Sequence, residues 1–273
     1  MTGRPRHLVR FKPYQRLMHL VLMVCFLGLA ATGLPLLFSD STWAASLARA
    51  FGGFEASALL HRFFATGMLL CFAVHVGELL YRLVAKGERS LLWGPSSMVP
   101  QPADLVQMYG HVRWFLGLGV RPHFDRYTYW EKFDYWAVFW GMFIIGGSGL
   151  LLWFPQAFST FLPGWIFNVA LLIHGEEALL AVGFIFTIHF FNGHIRPEKF
   201  PMDMVMFTGQ VSEDELRRER PAEYERLVRE GRLDTLAVPP EPDWVSTGGR
   251  VVGTTAVAIG LLLLVFILRG FFG

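Results

Sequence analysis

Residues 166–192 read IFNVALLIHGEEALLAVGFIFTIHFFN. Glu176 and Glu177 are the only charges in the run. Wound as a helix, it is long enough to cross a hydrocarbon core of about 30 Å, which takes about 20 apolar residues. Two histidines, His174 and His189, lie within it. An ionisable side chain inside a bilayer is costly to hold there and points to function.

Working outward, four more apolar runs of comparable length occur, giving five predicted spans at 17–38, 58–84, 134–154, 166–192 and 249–270. The composition agrees: 53% of residues are hydrophobic and 17% charged, against about 25% charged in soluble domains. Mean hydropathy is +0.40. The predicted fold is all-α: an integral membrane four-helix bundle with a fifth, C-terminal transmembrane helix. The expected division is a bundle domain over 1–210, a polar segment and linker over 211–248, and the last helix over 249–273.

The formal net charge of +2 gives no reason to expect a nucleic acid partner. Cations cluster beside the apolar runs instead, which is a topology signal. Arg4, Arg6, Arg10, Lys12 and Arg16 precede the first span. Lys86, Arg89, Arg113, Arg121, Arg126 and Lys132 lie in the 85–133 connection, whereas 39–57 carries only Arg49. These place the N-terminus in the cytoplasm and the C-terminus on the other side. The first run is longer than a secretory h-region and ends in no small-residue cleavage site, so it reads as a retained span. Cys25 and Cys71 form no CxxC pair and read as small buried hydrophobes. The most polar stretch, 193–248, is expected to hold a short solvated helix near 212–231.

The chemistry rests on histidine. Of nine histidines, His19, His61, His75, His174 and His189 lie in or at the edges of spans, and His194 follows the fourth. His7, His111 and His123 stand in polar surroundings and read as solvated. His61 and His75 are 14 residues apart, about 40° from the same helix face and about 21 Å apart along the axis. His174 and His189 are 15 apart, about 60° off one face and about 22 Å apart. Two facing helices of this kind could clamp two stacked haems, since imidazole is a usual axial ligand for haem iron. Bis-histidine iron is coordinatively full, which suits electron transfer rather than substrate chemistry. A faint internal repeat accompanies the histidines: Thr32-Gly33-Leu34 precedes Leu59-Leu60-His61, and Ser148-Gly149-Leu150 precedes Leu172-Ile173-His174.

At these residues the chain resembles the membrane cytochrome b subunits of formate dehydrogenase (gamma subunit), Ni-Fe hydrogenase and bacterial cytochrome b561, most of all the thiosulfate-reductase-type branch. The likeness covers roughly residues 8–210. It rests on Arg16-x-x-His19 with Thr32-Gly33, on Leu60-His61-Arg62, on Ile173-His174 through His189, and on the runs 129–136 (YWEKFDYW) and 196–203 (RPEKFPMD). The resemblance implies an outer haem b on His61 and His174 and an inner one on His19 and His189. Two departures leave the inner pair open: His75 is an additional intramembrane histidine, and the span-four spacing is 15 rather than 14. His75 with His189 is the pair favoured by helix geometry alone. His19 would then serve a quinone, or join His194 around a third haem.

The same resemblance implies a bacterial inner-membrane subunit of a respiratory oxidoreductase complex, not expected to turn over substrate alone. Its partners would be lipid, a quinone or quinol, and a peripheral redox subunit (an iron–sulfur protein or a multihaem cytochrome c). Quinone chemistry couples electrons to protons, so a proton-accepting group should stand near one haem. Glu78 and Asn192 are candidates at the inner end, Glu176 and Glu177 at the outer. The fifth span and the 193–248 segment lie outside most of the likeness and are expected to dock a partner. Two other classes compete. An intramembrane zinc enzyme or transporter needs three or four clustered ligands, whereas these histidines lie in two layers. A non-redox anchor predicts no chromophore.

Overall fold

The computed structural model describes residues 6–272; Arg4 of the N-terminal cation cluster lies outside them. Five of its helices are long and apolar enough to cross a membrane: span 1 (Pro13–Leu37), span 2 (Phe54–Ala85), span 3 (Tyr129–Trp153), span 4 (Trp165–Ile195) and span 5 (Asp243–Phe272). The chain is thus the all-α membrane bundle expected from its apolar runs. The largest boundary differences are at spans 3 and 5, which start before 134 and 249. For span 3 the reason is a capping box. The Thr128 and Glu131 side chains bond one another's backbone N–H groups, at 3.3 and 2.8 Å, which starts a helix ahead of the apolar run.

The chain folds as two compact units. One comprises Leu17–His75, Phe139–Asp203 and the chain from Gly248 onward. Its core holds Ala30 and Leu34 of span 1, Val182, Phe186 and Phe190 of span 4, and Leu263 and Ile267 of span 5. Lipid tails are as apolar as leucine, so close packing rather than water exclusion holds such helices together, and small residues serve that best. The buried positions of span 5 are Gly249, Gly253, Ala256, Gly260, Leu263 and Ile267, alternating steps of four and three along one seam. A Cβ on Gly260 would lie 2.5 Å from Phe190. Span 5 is therefore seated in this core, with its small-residue seam occupied by spans 1 and 4.

The other unit takes the segment ending at Arg16, Val76–Val138 and Met204–Thr247. Its centre is a small antiparallel sheet in which β1 (His7–Val9) lies between β2 (Gln210–Ser212) and β3 (Ala237–Val238), with Leu8 opposite Val211 and Ala237. Leu8 packs on Val211, Leu216 and Leu227. Gly209 makes the turn into β2. Its φ is +75°, a left-handed conformation that favours glycine, and a Cβ there would meet the Phe11 carbonyl oxygen at 2.6 Å.

Two expectations are corrected here. The single solvated helix near 212–231 is two helices, Glu213–Glu219 and Pro221–Arg229. Proline disfavours helical geometry in the residue before it, and Arg220 sits at φ −134°, ψ 57°. One face of the pair is buried, through Leu216, Glu219, Glu223 and Leu227. Nor is His111 solvated. It is buried on the helix Pro102–Phe115, hydrogen-bonded to the Tyr129 hydroxyl at 3.0 Å, with Trp114 and Trp130 stacked at 5.4 and 5.2 Å.

Ion pairs hold this unit. Glu223 accepts from Arg10 and, at 3.0 Å, from Arg126. Lys132 bonds both Asp104 oxygens at 2.9 and 2.8 Å. Arg226 donates to Asp125 at 2.6 Å, and this partner raises the guanidinium pKa above its ordinary value.

Candidate haem-binding histidine layers

All six candidate histidines fall in the first unit described, and five of them lie in two groups. Span 2 brings in His61 near its start, and span 4 brings in His174 near its own. The ring centres of His61 and His174 are 6.2 Å apart, with planes at 77°. Two imidazoles sharing one iron need about this separation: roughly 2 Å from metal to each nitrogen, plus roughly 1 Å from nitrogen to ring centre.

The Nδ1 atoms of both rings are engaged. Thr32 Oγ1 lies 3.2 Å from His61 Nδ1, and Ser148 Oγ lies 3.3 Å from His174 Nδ1. The Ile145 carbonyl also lies 3.0 Å from His174 Nδ1. A ring whose Nδ1 faces an acceptor, a carbonyl or a hydroxyl whose own hydrogen is committed elsewhere, carries its hydrogen there, which leaves Nε2 of each as the lone-pair donor. The hydroxyls are also directed: Thr32 donates to the Gly28 carbonyl and Ser148 to the Ile144 carbonyl, each at 2.6 Å.

Each ring also lies against a glycine. A Cβ on Gly33 would stand 2.9 Å from His61 Cε1, and one on Gly149 would stand 3.0 Å from His174 Cε1. The repeat Thr32-Gly33 and Ser148-Gly149 is thus one seat made twice: the hydroxyl residue bonds Nδ1 and the glycine admits the ring. The arrangement fits an iron held between His61 and His174. Gly149→Val should displace His174 and lose the haem of this layer, with less than about one-tenth left, because overpacking in a tight contact moves the ring off its geometry. Haem per chain, measured as the pyridine haemochrome, checks this.

The second group lies at the other end of the spans. His19 of span 1 is within electrostatic reach of His189 and His194 of span 4. The winding of span 4 changes here. Ile185–His189 and Phe191–Ile195 are π-helical, a form that carries an extra residue and recurs at functional sites. The fifteen-residue interval from His174 therefore winds like about fourteen, so the unexpected spacing is absorbed within the helix. His194 Nδ1 is buried with no hydrogen-bond partner, and the charge of Asp203 acts on the ring. Asp203 pairs with Lys199 at 2.9 Å.

The remaining candidates are dispersed. His75 has its ring 6.2 Å from that of Phe139. Glu78, in the sheet-bearing unit, lies 3.9 Å from Arg82. Glu177 accepts from Trp140 Nε1 at 3.2 Å, Glu176 is exposed, and Asn192 is half-buried within the second π-turn. Among the described residues, no three His, Cys, Asp or Glu side chains converge as a metal cluster, so the zinc reading lacks its ligand set there. Sequence reasoning missed the roles of the Thr32 and Ser148 hydroxyls, although the repeat that contains them was visible.

Comparisons with known proteins bear on the same region. Residues 1–100 match the family model described as prokaryotic cytochrome b561. Over 181 residues, 66% of this chain and 75% of the relative, the chain is 21% identical to the cytochrome b556(Fdn) subunit of the nitrate-inducible formate dehydrogenase of Escherichia coli strain K12. Over 175 residues, 63% of this chain and 65% of the relative, it is 24% identical to the cytochrome b556 subunit of the formate dehydrogenase of Haemophilus influenzae.

Proposed function

We propose that this chain, which belongs to the superfamily of cytochrome b561 and formate dehydrogenase gamma membrane subunits and is a haem b electron-transfer subunit of the bacterial inner membrane, carries electrons between a quinone pool and a peripheral redox subunit. That partner is an iron–sulfur protein or a multihaem cytochrome c. The observation that carries the reading is the His61–His174 pair, seated twice by the same device at the spacing a shared iron needs.

Haem b, when bound, supplies a one-electron iron couple. His61 and His174 would hold the outer group through Nε2. His189 and His19 would hold the inner one, as the family resemblance implies, and His19 lies within electrostatic reach of both His189 and His194.

Quinone reduction takes two electrons and two protons, and the inner end carries the polar groups that suit it. Asn192 and His194 share a π-turn, and the Asp203–Lys199 pair stands beside His194. At the outer end Glu177 is engaged by Trp140. The N-terminus lies in the cytoplasm and the C-terminus in the periplasm, an orientation supported by the cation-rich 85–133 connection.

A reduced-minus-oxidised spectrum of the purified chain, with haem b quantified per polypeptide and a quinol as reductant, tests the reading. Two b haems reduced by quinol are expected. A protein free of haem would end it, and two haems inert to every quinol would end its quinone half.

A further inference from the structure

We infer that Thr32 and Ser148 are positioning residues for the outer haem: by bonding Nδ1 of His61 and His174, they set how strongly each imidazole donates to iron. The inference rests on the haem reading above.

Both hydroxyls are buried in the bundle, where a polar group without a partner is costly. Each donates its own hydrogen to the carbonyl four residues earlier in its helix, Gly28 or Ile144, at 2.6 Å. With that hydrogen committed, the oxygen turns a lone pair toward the ring nitrogen, at 3.2 Å for His61 and 3.3 Å for His174. The N–H of His61 is therefore directed to the Thr32 hydroxyl, and that of His174 is shared between the Ser148 hydroxyl and the Ile145 carbonyl.

An acceptor on the distal N–H gives the ring partial imidazolate character and makes Nε2 a stronger donor, the usual effect of an outer-sphere partner on a metal-bound histidine. A stronger donor favours oxidised iron. Both axial ligands carry the same device, so both push in the same direction. The hydroxyls also restrain rotation about the Nε2–iron axis and keep the two ring planes near the 77° observed. Nearly perpendicular imidazoles give ferric haem a low-spin signal with a large maximum g value.

The test uses the complete haem-loaded chain in detergent or nanodiscs, with Thr32→Val, Ser148→Ala, the double variant, and Thr32→Ser as the conservative control. Three quantities are read: haem per chain, the two midpoint potentials, and the ferric low-spin spectrum. Neither substitution touches the Nε2 side of a ring, so haem content should hold. One midpoint should move positive, changing the reduced-to-oxidised ratio at fixed potential about tenfold, which is about 59 mV for a one-electron couple. The large-g signal should shift with it, and the other haem should stay in place. The double variant should move further, and Thr32→Ser should match the unmodified chain.

Retained haem with both midpoints unmoved would overturn the inference, as would a Thr32→Ser shift equal to that of Thr32→Val. Should Thr32→Val lose haem through misplacing His61, Ser148→Ala, which removes one oxygen, carries the measurement. Failure of the haem reading itself is distinct, because the unmodified chain would then bind none.

Discussion

In a His61→Ala chain, haem b should fall from two per polypeptide to one, with the remaining spectrum unchanged. His61 and His174 face each other across 6.2 Å, and nothing else named in that layer offers a lone-pair nitrogen. Thr32 and Ser148 are weak ligands for iron and already donate to helix carbonyls. His174→Ala should have the same effect, because one imidazole leaves the iron without its second axial nitrogen. Electron transfer through the outer layer should drop by more than about 100-fold, beyond the 10- to 100-fold typical of losing an outer-sphere partner. Haemochrome quantification and stopped-flow reduction check both. Two haems persisting in His61→Ala would show that the outer ligands lie elsewhere. Single replacements of His19, His75 and His194 then sort the inner layer: His19→Ala should cost the second haem, while His75→Ala and His194→Ala should keep it.

The second large effect is on stability. Glu223 is 2% exposed and is shared by Arg10 and Arg126. Burial pulls the Arg10 guanidinium below its ordinary pKa, and Glu223 opposes that pull. Glu223→Ala leaves Arg10, 7% exposed, as a charge with neither water nor its counter-ion, a change that typically destabilises by about 3–5 kcal/mol. Arg10 lies next to β1, so the loss should free the N-terminal strand first. Glu223→Gln keeps the shape and an accepting oxygen and should cost less. Denaturation of the purified chain, with proteolysis at the N-terminal strand as local readout, measures both. Equal stability of Glu223→Ala and the unmodified chain would mean the pair is solvated.

How much of this was legible in the sequence depends on the range of the forces involved. The spans were, because each must satisfy its own backbone and show lipid an apolar surface, and both requirements are written locally. Most ends were close, and the early start of span 3 had its signal in Thr128-x-x-Glu131, a capping box in plain view. The approach of His61 to His174 also had its signal in the sequence, in the family resemblance that pairs them. What escaped depended on distant partners. His111 looked solvated because its neighbours in sequence are polar; Phe124, Tyr129 and Trp130 bury it from across a loop. Glu219 and Glu223 looked like a solvated face until the arginines from near the N-terminus and the 85–133 connection met them. The π-turns were invisible because periodicity in an all-apolar run does not report one surplus residue.

That surplus residue has a mechanical consequence. In a loop, an insertion disappears into slack; in a span of fixed length, it rotates everything downstream by about 100°. Taking up the rotation at Ile185–His189 leaves the half that carries His174 untouched. The two ends of span 4 thereby become independent in winding: the alignment of one layer does not fix that of the other. The five-residue step from His189 to His194, about 140° around an α-helix, is brought closer to one face by i→i+5 winding. The helix works like a vernier, its two scales sliding past each other by single residues.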